Sequence, residues 1–161
     1  MSEPLPHLSE RFEAVWQRVN APCPQEAPAE NPADAHRVLL RELIEAESRQ
    51  GRAYASLART MSGSPRLLSL SADARSCLRQ LQTEYFLMTG DSCAVAQYKN
   101  EVRGLNALRD LYFGEQGLMC RLEGACALRV FASHHELFSR QRERAAARAQ
   151  AVRELLLQQM R

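Results

Sequence analysis

The stretch LRELIEAESRQGRAYASLARTM, residues 40–61, carries the clearest structural signal in the chain. Residues spaced alternately four and three positions apart share one face of an α helix. At that spacing, one stripe contains an acid and a glycine among apolar side chains: Leu40, Ile44, Glu47, Gly51, Tyr54, Ala58 and Met61. We therefore predict a helix over residues 35–61 that turns Glu47 toward its buried side.

A second helix follows directly in the sequence. Ser64 suits the N-cap of a helix, and Pro65 suits its first turn, where the missing N–H is not needed. Gly90 suits the left-handed conformation that closes many helices. Between them lies the second predicted stripe: Leu67, Leu70, Ala74, Cys77, Leu81, Tyr85 and Met88. The first two helices are predicted to form an antiparallel hairpin.

Two further helices repeat this arrangement. The third stripe again holds one acid: Leu108, Tyr112, Glu115, Met119, Leu122 and Cys126. Ser133 and Glu136 have the spacing of a capping box, and a fourth stripe follows them: Phe138, Ala145, Ala149, Val152, Leu156 and Met160. The interval from Glu115 to Ser133 is nearly the same length as the interval from Glu47 to Ser64, so the two hairpins resemble an internal duplication. The residues after Gly90 are numerous enough to cross the length of the bundle.

The region before the bundle differs in composition. Residues 1–20 predict a short amphipathic helix with Phe12 and Trp16 on its apolar face, and residues 21–34 form a Pro/Ala-rich linker. The four-helix bundle is assigned to residues 35–161. The short tether favours folding of the N-terminal helix back on the bundle, and a homodimer or a protein partner would bind through this helix or the outer helix faces.

Composition limits the classes of function. The net charge of +2, with acids and bases interspersed, predicts no nucleic-acid partner, and no long apolar run predicts a membrane span. The five cysteines are odd in number and include no CxxC pair, which indicates reduced thiols and a cytoplasmic location. No nucleophile motif or phosphate-binding glycine loop is present, so only a metal could support catalysis.

The residues from Ala46 to Gln50, leading to Tyr54, resemble the first-helix signature of rubrerythrin-type proteins in the ferritin-like superfamily. This resemblance implies an all-α, ferritin-like four-helix bundle, with two antiparallel hairpins joined by a long crossover. It also implies that Glu47 matches a di-iron ligand and that Glu115 matches the third-helix glutamate. In the second helix, Ala74 and Cys77 stand where the family carries Glu-x-x-His.

The candidate metal ligands are therefore Glu47 and Glu115, with Cys77 or Glu143 as additions. In the fourth helix, matching residue types to the family motif selects Glu143 as the inward residue, whereas the apolar stripe places Ala145 and Arg148 on the buried face. We follow the stripe. The hypothesis is then a vestigial site in which Glu47 and Glu115 form an ion pair with Arg148.

Two functions remain open at this level. The first is a divergent ferritin-like protein that has lost di-iron chemistry, binds no cofactor and acts as a non-catalytic structural or interaction module. The alternative is a rubrerythrin-like oxidoreductase that binds iron or another divalent metal and detoxifies peroxide or handles iron.

Overall fold

The computed structural model of the protein describes residues 32–61, 64–97 and 104–161. These residues form α1 (Pro32–Ala58), α2 (Ser64–Thr89), α3 (Gly104–Ala127), a 3-10 helix (Arg129–His134) and α4 (His135–Gln159). The predicted all-helical, four-helix bundle is confirmed. The predicted N-terminal helix and most of the predicted linker fall in residues 1–31, outside the described residues. None of the helices described is both long enough and apolar enough to cross a membrane.

The helix ends differ in part from the prediction. α1 begins at Pro32 rather than at residue 35, because proline is well tolerated in the first turn. Gly90 closes α2 as predicted: its φ is 75°, and its N–H donates to the carbonyl oxygen of Phe86 at 2.8 Å. The predicted capping box before α4 is wrong. The Ser133 hydroxyl lies 3.1 Å from Nδ1 of His134 and makes no cap hydrogen bond to the helix.

Neighbouring helices in the bundle run antiparallel. α1 pairs with α2, α3 pairs with α4, and α1 also packs on α3. One apolar cluster gathers the start of α1, the end of α2, the end of α3 and the start of α4: Leu40, Leu43, Ile44, Leu81, Tyr85, Leu118, Leu122, Ala125, Phe138 and Ala145. A second cluster gathers the opposite ends: Ala53, Tyr54, Leu57, Ala58, Leu67, Ala74, Ala107, Leu108, Leu111, Val152 and Leu155.

The connection between α2 and α3 therefore joins opposite ends of the bundle. Its first part runs along the α1–α2 hairpin, where two side chains hold its backbone. Gln82 Nε2 donates to the carbonyl oxygen of Cys93 at 3.4 Å, and Arg52 Nη1 donates to that of Ala96 at 2.9 Å. Val95 packs against the first apolar cluster.

The buried faces of α3 and α4 are displaced slightly from the predicted stripes. In α3, Leu111, Leu118 and Ala125 are buried, whereas Tyr112, Met119 and Cys126 are only half-buried. Residues three and four positions after a buried residue lie on the same side of the helix as that residue. The packing of the neighbouring helices decides which of the two is buried more deeply. Met160, predicted as a core residue, is 75% exposed because α4 ends at Gln159.

A close contact between α1 and α3 gives a first prediction. A Cβ added at Gly114 would lie 2.6 Å from Oε1 of Gln50, whose Nε2 donates to the carbonyl oxygen of Leu111 at 3.0 Å. A Cβ at Gly117 would meet nothing within 4 Å. We expect Gly117→Ala to raise the free energy of unfolding by about 0.5–1 kcal/mol through helix propensity. Gly114→Ala should bring no net gain, because loss of the Gln50 hydrogen bond, about 1 kcal/mol, offsets the gain in helix propensity.

Urea unfolding of both variants measures this difference. Adding Gln50→Ala provides the control, because removing that side chain removes the clash. Gly114→Ala should then become as stabilising as Gly117→Ala. Equal effects of the two alanines in the wild-type background would contradict the proposed contact.

Candidate functional site

A polar layer lies between the two apolar clusters, at mid-height in the bundle. Helical spacing places one charged residue of α1, one of α3 and one of α4 on the buried faces: Glu47, Glu115 and Arg148. Each is at most 1% exposed. α2 adds Asp73 at the edge of this layer. We call the set formed by Glu47, Tyr54, Asp73, Glu115 and Arg148 the Arg148 cluster.

The guanidinium of Arg148 is the centre of the cluster. Its Nη2 donates to both carboxylate oxygens of Glu47, at 2.9 and 3.0 Å. Its Nε and Nη2 donate to the two carboxylate oxygens of Glu115, at 2.9 and 3.0 Å, in the bidentate geometry that favours arginine. Its Nη1 donates to Oδ2 of Asp73 at 2.8 Å and lies 3.4 Å from Sγ of Cys77. All three nitrogens of the guanidinium are thus used.

Two more contacts complete the cluster. The Tyr54 hydroxyl donates to Oε1 of Glu115 at 2.6 Å, deep in the core. Asp73 is 31% exposed at its side chain and also accepts from Arg144, whose Nε and Nη2 lie 2.9 and 2.5 Å from Oδ1. The cluster therefore extends from the interior through Asp73 to Arg144 at the surface.

Burial and charge shift the titration of these groups in different directions. Burial raises the pKa of Glu47 to about 7, with the neighbouring Glu115 adding to the effect and Arg148 opposing it. Burial alone would lower the pKa of Arg148, but hydrogen bonding to Glu115 and the charges of Glu47 and Glu115 raise it above its usual value. Arg148 is therefore a fixed positive charge. Burial also raises the pKa of Tyr54, and Glu115 raises it further, so Tyr54 is a neutral donor.

Asp73 differs from the fully buried acids. Burial alone would raise its pKa, but hydrogen bonds from Arg144 and Arg148 lower it below its usual value. Asp73 is thus ionised at neutral pH and balances the charge of Arg144. The raised pKa of Glu47 places its protonation near neutral pH.

The structure brings together Glu47, Glu115 and Arg148, the three residues of the ion-pair hypothesis. Cys77 contacts the same guanidinium. Glu143 is exposed and Ala145 is fully buried, so the fourth helix follows the apolar stripe and Glu143 lies away from the site. Sequence reasoning missed Asp73 and the hydrogen bond of Tyr54. The available signal was position alone: Asp73 and Arg144 each lie one turn before an inward residue, Cys77 and Arg148, which places them near the edge of the buried faces but does not reveal their contact.

These residues do not fit the di-metal centre that the resemblance implies. Such a centre needs a Glu-x-x-His pair from each of two helices in addition to two single carboxylates. In α2, Ala74 and Cys77 supply neither ligand, and in α4 the guanidinium of Arg148 donates to the carboxylate oxygens that would bind metal. In the described ranges, no group of three or more His, Cys, Asp or Glu side chains is placed to hold a metal ion.

The cysteines give a second prediction. Cys77 is fully buried, and burial raises the pKa of its thiol to about 11, with the nearby charge of Glu47 adding to this. Cys120 is exposed. Because the thiolate is the reactive form, iodoacetamide should modify Cys120 readily and Cys77 only after unfolding in urea. Peptide mass spectrometry reads out both sites, and rapid alkylation of Cys77 in the folded protein would show that the core around Arg148 is open.

Comparison with known proteins found no match to this chain among family models, curated proteins or solved structures. A proposal for its function therefore depends on the Arg148 cluster and the bundle around it.

Proposed function

We propose that the chain is a divergent ferritin-like bundle in which the guanidinium of Arg148 takes the place of a metal pair, and that it acts as a non-catalytic structural or interaction module. The observation that carries this proposal is the donation from Arg148 to both Glu47 and Glu115. Buried carboxylates require a counter-charge, and a guanidinium supplies one with directed hydrogen bonds.

The connectivity of the bundle supports the ferritin-like part of the proposal. One connection between α2 and α3 joins opposite ends of the bundle, and ferritin-like folds are four-helix bundles with one such crossover. Glu47 and Glu115 also occupy matching places, since each lies on the buried face of the first helix of its hairpin.

The outer helix faces support the interaction part of the proposal. Several large apolar side chains on α2 and α3 are exposed, among them Phe86, Leu87 at 70% and Phe113. Exposed aromatic and aliphatic side chains are enriched where proteins bind one another. A homodimer or a protein partner would cover these faces.

Metal analysis tests the proposal against the rubrerythrin-like alternative. Protein purified after growth with added iron should contain far less than one metal ion per chain and should show no peroxide turnover. The matched control is Glu47→Gln with Glu115→Gln, since metal held at the surface is unaffected by these changes. A pair of metal ions per chain that is lost in this control, together with peroxide turnover, would establish the metal-dependent oxidoreductase instead.

A further inference from the structure

A cavity of about 430 Å³ lies between α1, α2 and the connection that follows α2. Small residues of α1 form one wall: Ser48, Gly51 and Ala55. Opposite them, the hydroxyl of Ser71 donates to the carbonyl oxygen of Gly51 at 2.8 Å, so this hydroxyl is already bonded within the protein. None of the lining residues belongs to the Arg148 cluster. We call this space the Arg52–Arg75 cavity.

Two arginines, Arg52 and Arg75, line the cavity, and among the residues that the structure describes no Asp or Glu lines it. Arg52 uses Nη1 to hold the carbonyl oxygen of Ala96, which fixes the side chain and leaves further N–H donors. The Cγ of Arg75 lies 3.6 Å from the position that a Cβ on Gly51 would take, so the stem of the Arg75 side chain packs beside that glycine. Within the described part of the chain, no acid forms a salt bridge with Arg75.

The remaining lining sets the character of a ligand. Ser48 and Gln82 add polar groups, and Leu78 and Val95 add apolar surface. A cavity of this volume falls in the range of small-molecule sites, which is about 300–1,000 Å³. Arginine forks match the two oxygens of a carboxylate or a phosphate. We propose that the Arg52–Arg75 cavity binds a small organic oxyanion, a carboxylate or a phosphate monoester with a compact apolar body.

Nuclear magnetic resonance titration of the full chain tests this proposal. The probes are phenyl phosphate, benzoate and the neutral analogue phenol, each added to ¹⁵N-labelled protein up to millimolar concentration. At least one anion should produce saturable shifts of the Arg52 and Arg75 side-chain N–H signals and of the Gly51 amide. The tighter of the two anions identifies phosphate or carboxylate as the preferred group. Phenol should produce no saturable shift at these signals.

Matched arginine variants separate a specific site from general attraction. Arg75→Gln should weaken binding of the tighter anion by roughly tenfold or more, because a charge-assisted hydrogen bond is lost. Arg79→Gln removes the same charge one turn further along α2, from an exposed residue outside the cavity, and should weaken binding less than about twofold. Both residues are exposed, so both variants should unfold at the wild-type urea midpoint.

Three results would each overturn the proposal. They are the absence of saturable shifts with both anions, equal weakening by the two arginine variants, and phenol binding as tightly as the anions. Each of these would show that the guanidinium groups do not form an anion site. None of them bears on the Arg148 cluster.

Discussion

Replacing Arg148 with alanine is expected to lower the free energy of unfolding by about 3–5 kcal/mol, because it leaves buried carboxylates without a counter-charge. Glu47 and Glu115 are both at most 1% exposed, so bulk solvent does not screen their charges in the folded protein. Urea unfolding followed by circular dichroism measures the change. Arg144→Ala is the matched control. That arginine is partly exposed and contacts Asp73 alone within the cluster, so its loss should have an effect of about 1 kcal/mol or less.

A fully apolar replacement keeps this prediction testable if Arg148→Ala does not fold. The variant Glu47→Leu, Tyr54→Phe, Glu115→Leu and Arg148→Met removes the buried charges together with the hydroxyl that bonds to Glu115. Buried ion clusters replaced in this way often leave stability unchanged or increase it by about 1–4 kcal/mol. We expect the apolar variant to be at least as stable as the wild type. A large loss of stability in this variant and none in Arg148→Ala would contradict the account of the cluster.

Stability should fall as pH rises from about 4.5 to about 7, because of Glu47. Its pKa is 4.5 as the usual value and about 7 in the folded protein. In this range the unfolded chain releases the Glu47 proton while the folded protein keeps it, so rising pH favours unfolding. The full effect is up to about 3 kcal/mol by the free energy of a pKa shift. Glu47→Gln cannot titrate and should lose this part of the pH dependence.

Asp73 provides the contrasting case. Its pKa is lowered in the folded protein, so its contribution is present above the usual value of 3.8 and is lost as pH falls below it. Asp73→Asn should therefore remove this change on the acid side of the stability profile, and it should make the fall between pH 4.5 and 7 somewhat smaller, because the charge of Asp73 helps to raise the pKa of Glu47. Unfolding free energies of wild type, Glu47→Gln and Asp73→Asn at several pH values test both statements. A wild-type profile that is parallel to that of Glu47→Gln would contradict the raised pKa.

The fold and the centre of the site could be predicted from the sequence for one physical reason. A charged residue at a regular position of an apolar helical stripe must turn inward, and Glu47, Glu115 and Arg148 all occupy such positions. Asp73 could not be found in this way because it lies beside the stripe. Its role depends on how closely α2 and α4 approach, which spacing along one helix does not reveal. The same limit explains α3, where neighbouring helices selected Leu111 and Leu118 over Tyr112 and Met119.

Arg148 also bears on how cooperatively the bundle assembles. Its hydrogen-bond acceptors come from three other helices. The free-energy cost of removing water from the guanidinium is therefore compensated only when all three helices have packed against α4. Sliding α4 by one turn would move Arg148 about 5.4 Å from its carboxylates. The small side chains of Ala145 and Ala149 beside it oppose such a shift only weakly, so the hydrogen bonds of Arg148 are what fix the position of α4 along the bundle. We therefore expect unfolding intermediates with one hairpin detached to be scarce, and amide exchange at mid-height in all four helices to occur through a single global opening.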